Sequence, residues 1–122
     1  MSKKCCIVLH SSLNSSKEQE SHTRLLISLL DAKKLKREYI DGADECQKSK
    51  RNECFALSGI RGNYPQLFLK TIGENGKQQN IAFLGTYETI HNLNEMNDVP
   101  EELLRQNQIE TLDMVVSDFE RI

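Results

Sequence analysis

The chain has 122 residues, of which 38% are hydrophobic and 28% charged, and its formal net charge is -2. That length fills one core and not two, and the mixture belongs to the soluble globular class rather than the disordered or fibrous ones. With no basic excess, nucleic acid is not an expected partner.

No segment reaches the roughly 18 consecutive apolar residues of a membrane helix. The opening MSKKCCIVLHSS holds only a short apolar run, below the roughly seven to fifteen residues of a signal-peptide core. The cytoplasm is therefore the expected compartment. Asn14-Ser15-Ser16 fits a glycosylation pattern, read as coincidence without a secretory signal.

In chain order, Cys5 to Leu9 is apolar at every position, which predicts a central strand buried on both faces. His22, Leu25, Leu26, Leu29 and Leu30 recur at helical spacing, with Ser15 and Glu18 placed as a capping box, predicting a helix over 15–34. KREYID carries charges on both sides of Tyr39, as an edge strand does, and the helix before it makes a crossover, so this strand is expected parallel to the first. A second helix over 43–57 ends where Gly59 can take the left-handed conformation. Gln66 to Ile72 and Gln78 to Leu84 form a hairpin around Glu74-Asn75-Gly76-Lys77. A short helix over 86–94 buries Tyr87, Ile90 and Leu93.

Asn94 to Asp98 is polar enough to be a boundary, which divides the chain into a domain at 1–97 and an amphipathic extension at 98–122. In the extension Pro100 lies in the first turn of a further helix. Leu103, Leu104, Ile109, Leu112, Val115, Val116 and Phe119 then follow at near-helical spacing. Such a series is expected to pack on the domain's own sheet or second helix; the alternative is a partner-binding or dimer-forming helix.

The cysteines offer little for redox chemistry. Cys5 and Cys6 are neighbours on a strand, point to opposite faces and read as packing residues. Cys46 and Cys54 fall eight residues apart on the second helix, about 12 Å along its axis, too far for a bridge. Either one, if exposed, would be a regulatory thiol; the alternative is simple burial. No two of Cys46, Cys54, His10, His22 and His91 stand at a recognised metal-ligand spacing, so no metal is expected.

At the end of the first strand, His10-Ser11-Ser12-Leu13-Asn14-Ser15-Ser16 turns into the first helix. A serine nucleophile needs an adjacent base, and His10 is the local candidate, but no acidic residue stands near it in sequence to orient it. The turn reads instead as a helix cap. Its free N–H groups also suit a phosphate or carboxylate, though it lacks the glycines of a phosphate loop.

The order βαβαββα, with SGIRGNYPQLFLKTIGENG at 58–76 and FLGTYETIHNL at 83–93, resembles the thioredoxin fold. Over residues 5–95 the pattern most resembles the glutaredoxin-like SH3-binding glutamic-acid-rich protein family, through Pro65, Gln66, Leu67 and Phe68 and the serine-rich turn before the first helix. The resemblance implies an α/β thioredoxin-like domain whose four-stranded mixed sheet carries helices on both faces. It also implies a cis Pro65, with Tyr64 lining a groove through its backbone N–H and C=O. Gly85 and Thr86 would be the loop that receives a γ-glutamyl group, and His10, Ser11, Ser12, Asn14 and Ser15 the other wall.

Catalytic members of that superfamily hold a cysteine where this chain has serines, and their chemistry needs a thiolate at a helix N-terminus. The expectation is a non-catalytic module, without a cofactor, that holds a peptide or protein in the groove. The alternative is a protein that binds glutathione or is regulated through Cys46 or Cys54. With only Pro65 and Pro100 in the chain, no Pro-x-x-Pro ligand can form.

Overall fold

The computed structural model describes residues 3–13, 16–74, 76 and 79–122. Strand β1 (Lys3–His10), helix α1 (Lys17–Ala32), strand β2 (Arg37–Asp41), helix α2 (Lys48–Ser58), strands β3 (Gln66–Ile72) and β4 (Gln79–Thr86), and helices α3 (Tyr87–Glu95), α4 (Glu101–Asn107) and α5 (Leu112–Val115) follow in that order. The four strands form one mixed sheet in the order β2-β1-β3-β4. β2 runs parallel to β1, as a helical crossover requires, while β3 is antiparallel to β1 and to β4. The chain is thus an α/β protein, and no helix among the described residues is long and apolar enough to cross a membrane.

β1 lies inside the sheet with α1 and α3 on one face and α2 on the other, so Cys5 to Leu9 are all buried. Alternation sends Cys6 and Val8 to one side, with Leu26 and Leu30 of α1, Leu67 of β3 and Ile90 of α3. Ile7 and Leu9 go to the other, with Ile40, Phe68 and Cys54 and Phe55 of α2.

The helix ends are set by local chemistry, and several differ from expectation. α1 is capped by Ser16, whose hydroxyl accepts from the Gln19 N–H at 3.2 Å. Ser15, expected in that role with Glu18, lies with Asn14 outside the described residues. The helix expected over 43–57 is split: a single 3-10 turn, Glu45–Gln47, is capped by Asp44 and precedes α2. Cys46 therefore stands on that turn and Cys54 on the helix proper. Gly59 ends α2 as expected, with φ 73° and its N–H on the Phe55 carbonyl at 2.8 Å. In the β3–β4 hairpin Gly76 has φ +69°, while Asn75, Lys77 and Gln78 lie outside the described residues.

The tail is not one helix. Gln108 takes the left-handed conformation, φ 53°, and ends α4, with the Ile109 N–H turned back to the Leu104 carbonyl. Thr111 then caps α5 through Met114. Leu112, Val116 and Phe119 enter the same apolar cluster as Val8 of the sheet, Leu26 and Ile90, so these three pack against the sheet under α1 and α3 and not on α2, while Leu103 stays exposed. Backbone bonds fasten the chain end: Glu120 donates to the Lys4 carbonyl and accepts from Lys36, and Ile122 donates to Lys34.

Candidate functional site

Three connections meet at the end of β1 and β2: the serine turn, the β2–α2 loop and the segment before β3. Parallel pairing sets His10 opposite Asp41, and the Gly42 N–H donates to the His10 carbonyl at 2.7 Å. One Asp41 carboxylate oxygen accepts from the Ser12 N–H at 3.0 Å and from the Ala43 N–H at 2.9 Å, while the Asp41 N–H donates to Gln47 Oε1 at 2.7 Å. Burial opposes the charge, but hydrogen bonds from the Ser12 hydroxyl and from both N–H groups, with the His10 imidazole nearby, outweigh it and hold Asp41 below its usual carboxylate range.

Two expectations change here. An acidic residue does stand beside His10, but the Ser12 hydroxyl bonds to that carboxylate, whereas an activated serine needs a hydrogen bond to its base. The N–H of Ser12 is likewise spent on Asp41, which puts a negative charge where an anion was expected. Asp-Gly after a strand was the available signal: an Asp side chain that bonds the N–H two residues on is a local turn device.

The Tyr64–Pro65 peptide is cis, as the resemblance implied. Tyr64's backbone N–H is engaged: it donates to Oε1 of Gln19, in the first turn of α1, at 3.2 Å. The Tyr64 ring lies so close over Gly42 that a Cβ there would sit 2.4 Å from its hydroxyl oxygen, so any larger residue would push the ring aside. Burial pushes the Tyr64 phenol up, with Arg51 opposing and Asp41 assisting. Gln66 is buried; its amide nitrogen donates to the carbonyls of Ile60 and Asn63, at 3.0 and 2.8 Å, and so fixes the loop ahead of the proline.

Gly85 and Thr86 lie at the same end of the sheet, paired with Leu67 and Gln66. A Cβ at Gly85 would come within 2.8 Å of the Thr89 side chain, so packing of α3 on β4 already accounts for this glycine. His10 and Ser11 are half-buried and Ser12 is exposed. The fold thus brings His10, Ser11, Ser12, Tyr64 and Pro65 to one end of the sheet, with Asp41, Gln19 and Arg51 added by the structure.

Of the cysteines, Cys5, Cys6 and Cys54 are buried and Cys46 is exposed. Burial, aided by Glu53, pushes the Cys54 thiol up to about 11, which disfavours the reactive thiolate. Cys54 lines a cavity of about 170 Å³ between α2 and the sheet, together with Tyr39, Lys50, Leu57, Lys70 and Ile81. On the opposite side of the sheet Glu18, His22 and Glu88 converge, with one donor atom from each within 4.8 Å of the others. Sequence spacing does not reveal this group, because Glu88 comes from a different helix.

No family model matches the chain, and no curated protein matches it.

Proposed function

We propose that the chain is a thioredoxin-like, non-catalytic binding module of the glutaredoxin-like SH3-binding glutamic-acid-rich kind, acting in the cytoplasm. It holds an extended peptide, or a segment of a protein partner, in the groove bounded by His10–Ser12, Tyr64–Pro65 and Gly85–Thr86. The observation that carries the reading is the bond from the Tyr64 N–H to Gln19 Oε1. Gln19 supplies the acceptor that the carbonyl of an extended peptide would supply, and a bound peptide would displace it. Support also comes from the strand order and from the serines at the start of α1, where a reductase of this fold needs a thiolate.

Peptides selected by display against the full chain provide the test. They should shift the amide resonances of Ser12, Tyr64 and Gly85. Gln19→Ala, which frees one donor worth about 0.5–1.5 kcal/mol, should tighten their binding by about two- to tenfold. Selected peptides that bind elsewhere, or insulin reduction at the rate of a true glutaredoxin, would remove the proposal. The second reading, a glutathione-binding or thiol-regulated protein, draws on the exposure of Cys46. Retention on immobilised glutathione, lost in Cys46→Ser, would favour it.

A further inference from the structure

Glu18 and His22 stand four residues apart on α1, so their side chains share one face of the helix. Glu88, in the first turn of α3, meets them from across the helix pair. The His22 Nδ1 lies 3.7 Å from a Glu88 carboxylate oxygen. The imidazole does not swing freely, because it stacks on Tyr87 with ring centroids 4.3 Å apart and planes 18° from parallel. Both carboxylates are exposed, that of Glu88 accepting from the Thr86 hydroxyl and from its own backbone N–H, whereas His22 is half-buried.

We propose that Glu18, His22 and Glu88 form a binding site for a divalent transition-series cation, with zinc the best fit. Around a tetrahedral zinc with bonds of about 2.0–2.1 Å, donor atoms are about 3.3 Å apart, so the three groups need to close by at most about 1.5 Å. Rotation of the Glu18 side chain, and of Glu88 in exchange for its bonds to Thr86 and its own N–H, supplies such a movement without any change of backbone. Two carboxylates and a neutral imidazole carry two negative charges. The positive ends of α1 and α3, roughly half a charge each, reduce that field without cancelling it. The imidazole selects zinc and its neighbours over magnesium or calcium, which take oxygen donors. Three protein ligands leave a position open to solvent. This site is independent of the peptide-groove reading: Tyr64 and Gln19 take no part in it. Its competitor is a metal-free polar cluster of the same three residues.

Zinc chloride titrated calorimetrically into chelator-treated full-length protein at pH 7.4 separates the two. Wild type and Cys46→Ser are both used, because an exposed thiol is itself a zinc ligand. One zinc per chain is expected in both, together with a higher melting temperature when zinc is present. Glu18→Gln and Glu88→Gln, which change exposed groups and leave the fold intact, should each weaken binding at least tenfold, and His22→Gln should abolish it. Cobalt bound in place of zinc should give the visible absorption of a low-coordinate site, absent in Glu88→Gln. Absence of saturable one-to-one binding would overturn the proposal. So would binding that vanishes with Cys46, or binding that both glutamine variants retain.

Discussion

The two faces of the sheet are built from alternate residues of the same strands and are closed by different means. Under α1 and α3 the cover is completed by a distant part of the chain, since Leu112, Val116 and Phe119 fill the space beside Val8, Leu26 and Leu30. Under α2 the cover is one helix with few apolar residues, Cys54 and Phe55 being those it buries, and a cavity of about 170 Å³ remains beside it. Residues far apart in sequence thus complete the first face, while the second depends on its neighbours and stays incomplete. Cohesion should concentrate on the first face, and room to adapt on the second.

Removing the tail is the severest test of that contrast. Truncation after Asn97 deletes Leu104, Leu112, Val116 and Phe119, all buried, together with the backbone bonds of Glu120 and Ile122. At about 1.5–3 kcal/mol per buried side chain, the loss is comparable with a whole domain's stability of about 5–15 kcal/mol. The shortened chain should show no cooperative thermal transition by circular dichroism. If it melts sharply, the first face closes without its third contributor and the two faces are more alike than the packing implies.

Single substitutions sharpen the same comparison. Leu112→Ala leaves a hole in a fully buried site and should cost about 2–5 kcal/mol in denaturant unfolding. Leu57→Ala, at the rim of the cavity under α2 and 48% exposed, should cost less than about 0.5 kcal/mol. Equal costs would show that α2 packs as tightly as α1.

Much of this architecture was legible because it is written in short-range patterns. β3 has the bounds its apolar run implies, and Gly59 stops α2 because only a left-handed residue can turn the chain there. Less was legible wherever the structure depends on pairing between distant segments. Asp41 reaches His10 through the register of two parallel strands, joined by a crossover that holds no trace of that register. Glu88 joins Glu18 and His22 only because α3 lies beside α1. The tail's apolar series was readable, but the break at Gln108 was not: a glutamine rarely takes a positive φ, and its side chain gives no notice of it.

Thiol chemistry probes the faces from outside. Burial pushes the Cys6 thiol up to about 12, on the α1 side, and the Cys54 thiol up to about 11, on the α2 side. Burial, followed by Glu38, also raises Cys5. In the native protein at pH 8, a disulfide reagent should therefore modify Cys46 quickly and the other three only on unfolding. Against a free thiol of pKa about 8.5, Cys54 should react at least about a hundredfold more slowly. Rapid modification of Cys54 would mean that the cavity beside α2 opens readily.

The smallest expected effect lies at the end of the sheet, where the serine turn leans on Asp41. The folded state holds this carboxyl below its unfolded value of about 3.9, because its bonds to Ser12 and Ala43 outweigh the penalty of burial. A depressed folded pKa contributes stability that is present above pH 3.9 and disappears as the pH falls through the folded value. Asp41→Asn removes the charge and retains an acceptor, so it should cost about 1 kcal/mol near neutral pH, less than the roughly 1.5–3 kcal/mol of a hydrogen bond to a charged group because solvent screens this carboxylate. The gap between wild type and variant should hold from pH 7 to about pH 5, narrow below about pH 4 and close in stronger acid. Denaturant titrations at successive pH values measure it directly. A gap that stays constant into strong acid would mean that side-chain shape, and not the carboxylate charge, ties Ser12 to β2. With the charge removed, the turn would also lose its objection to anions, and phosphate should then stabilise Asp41→Asn more than it stabilises the wild type.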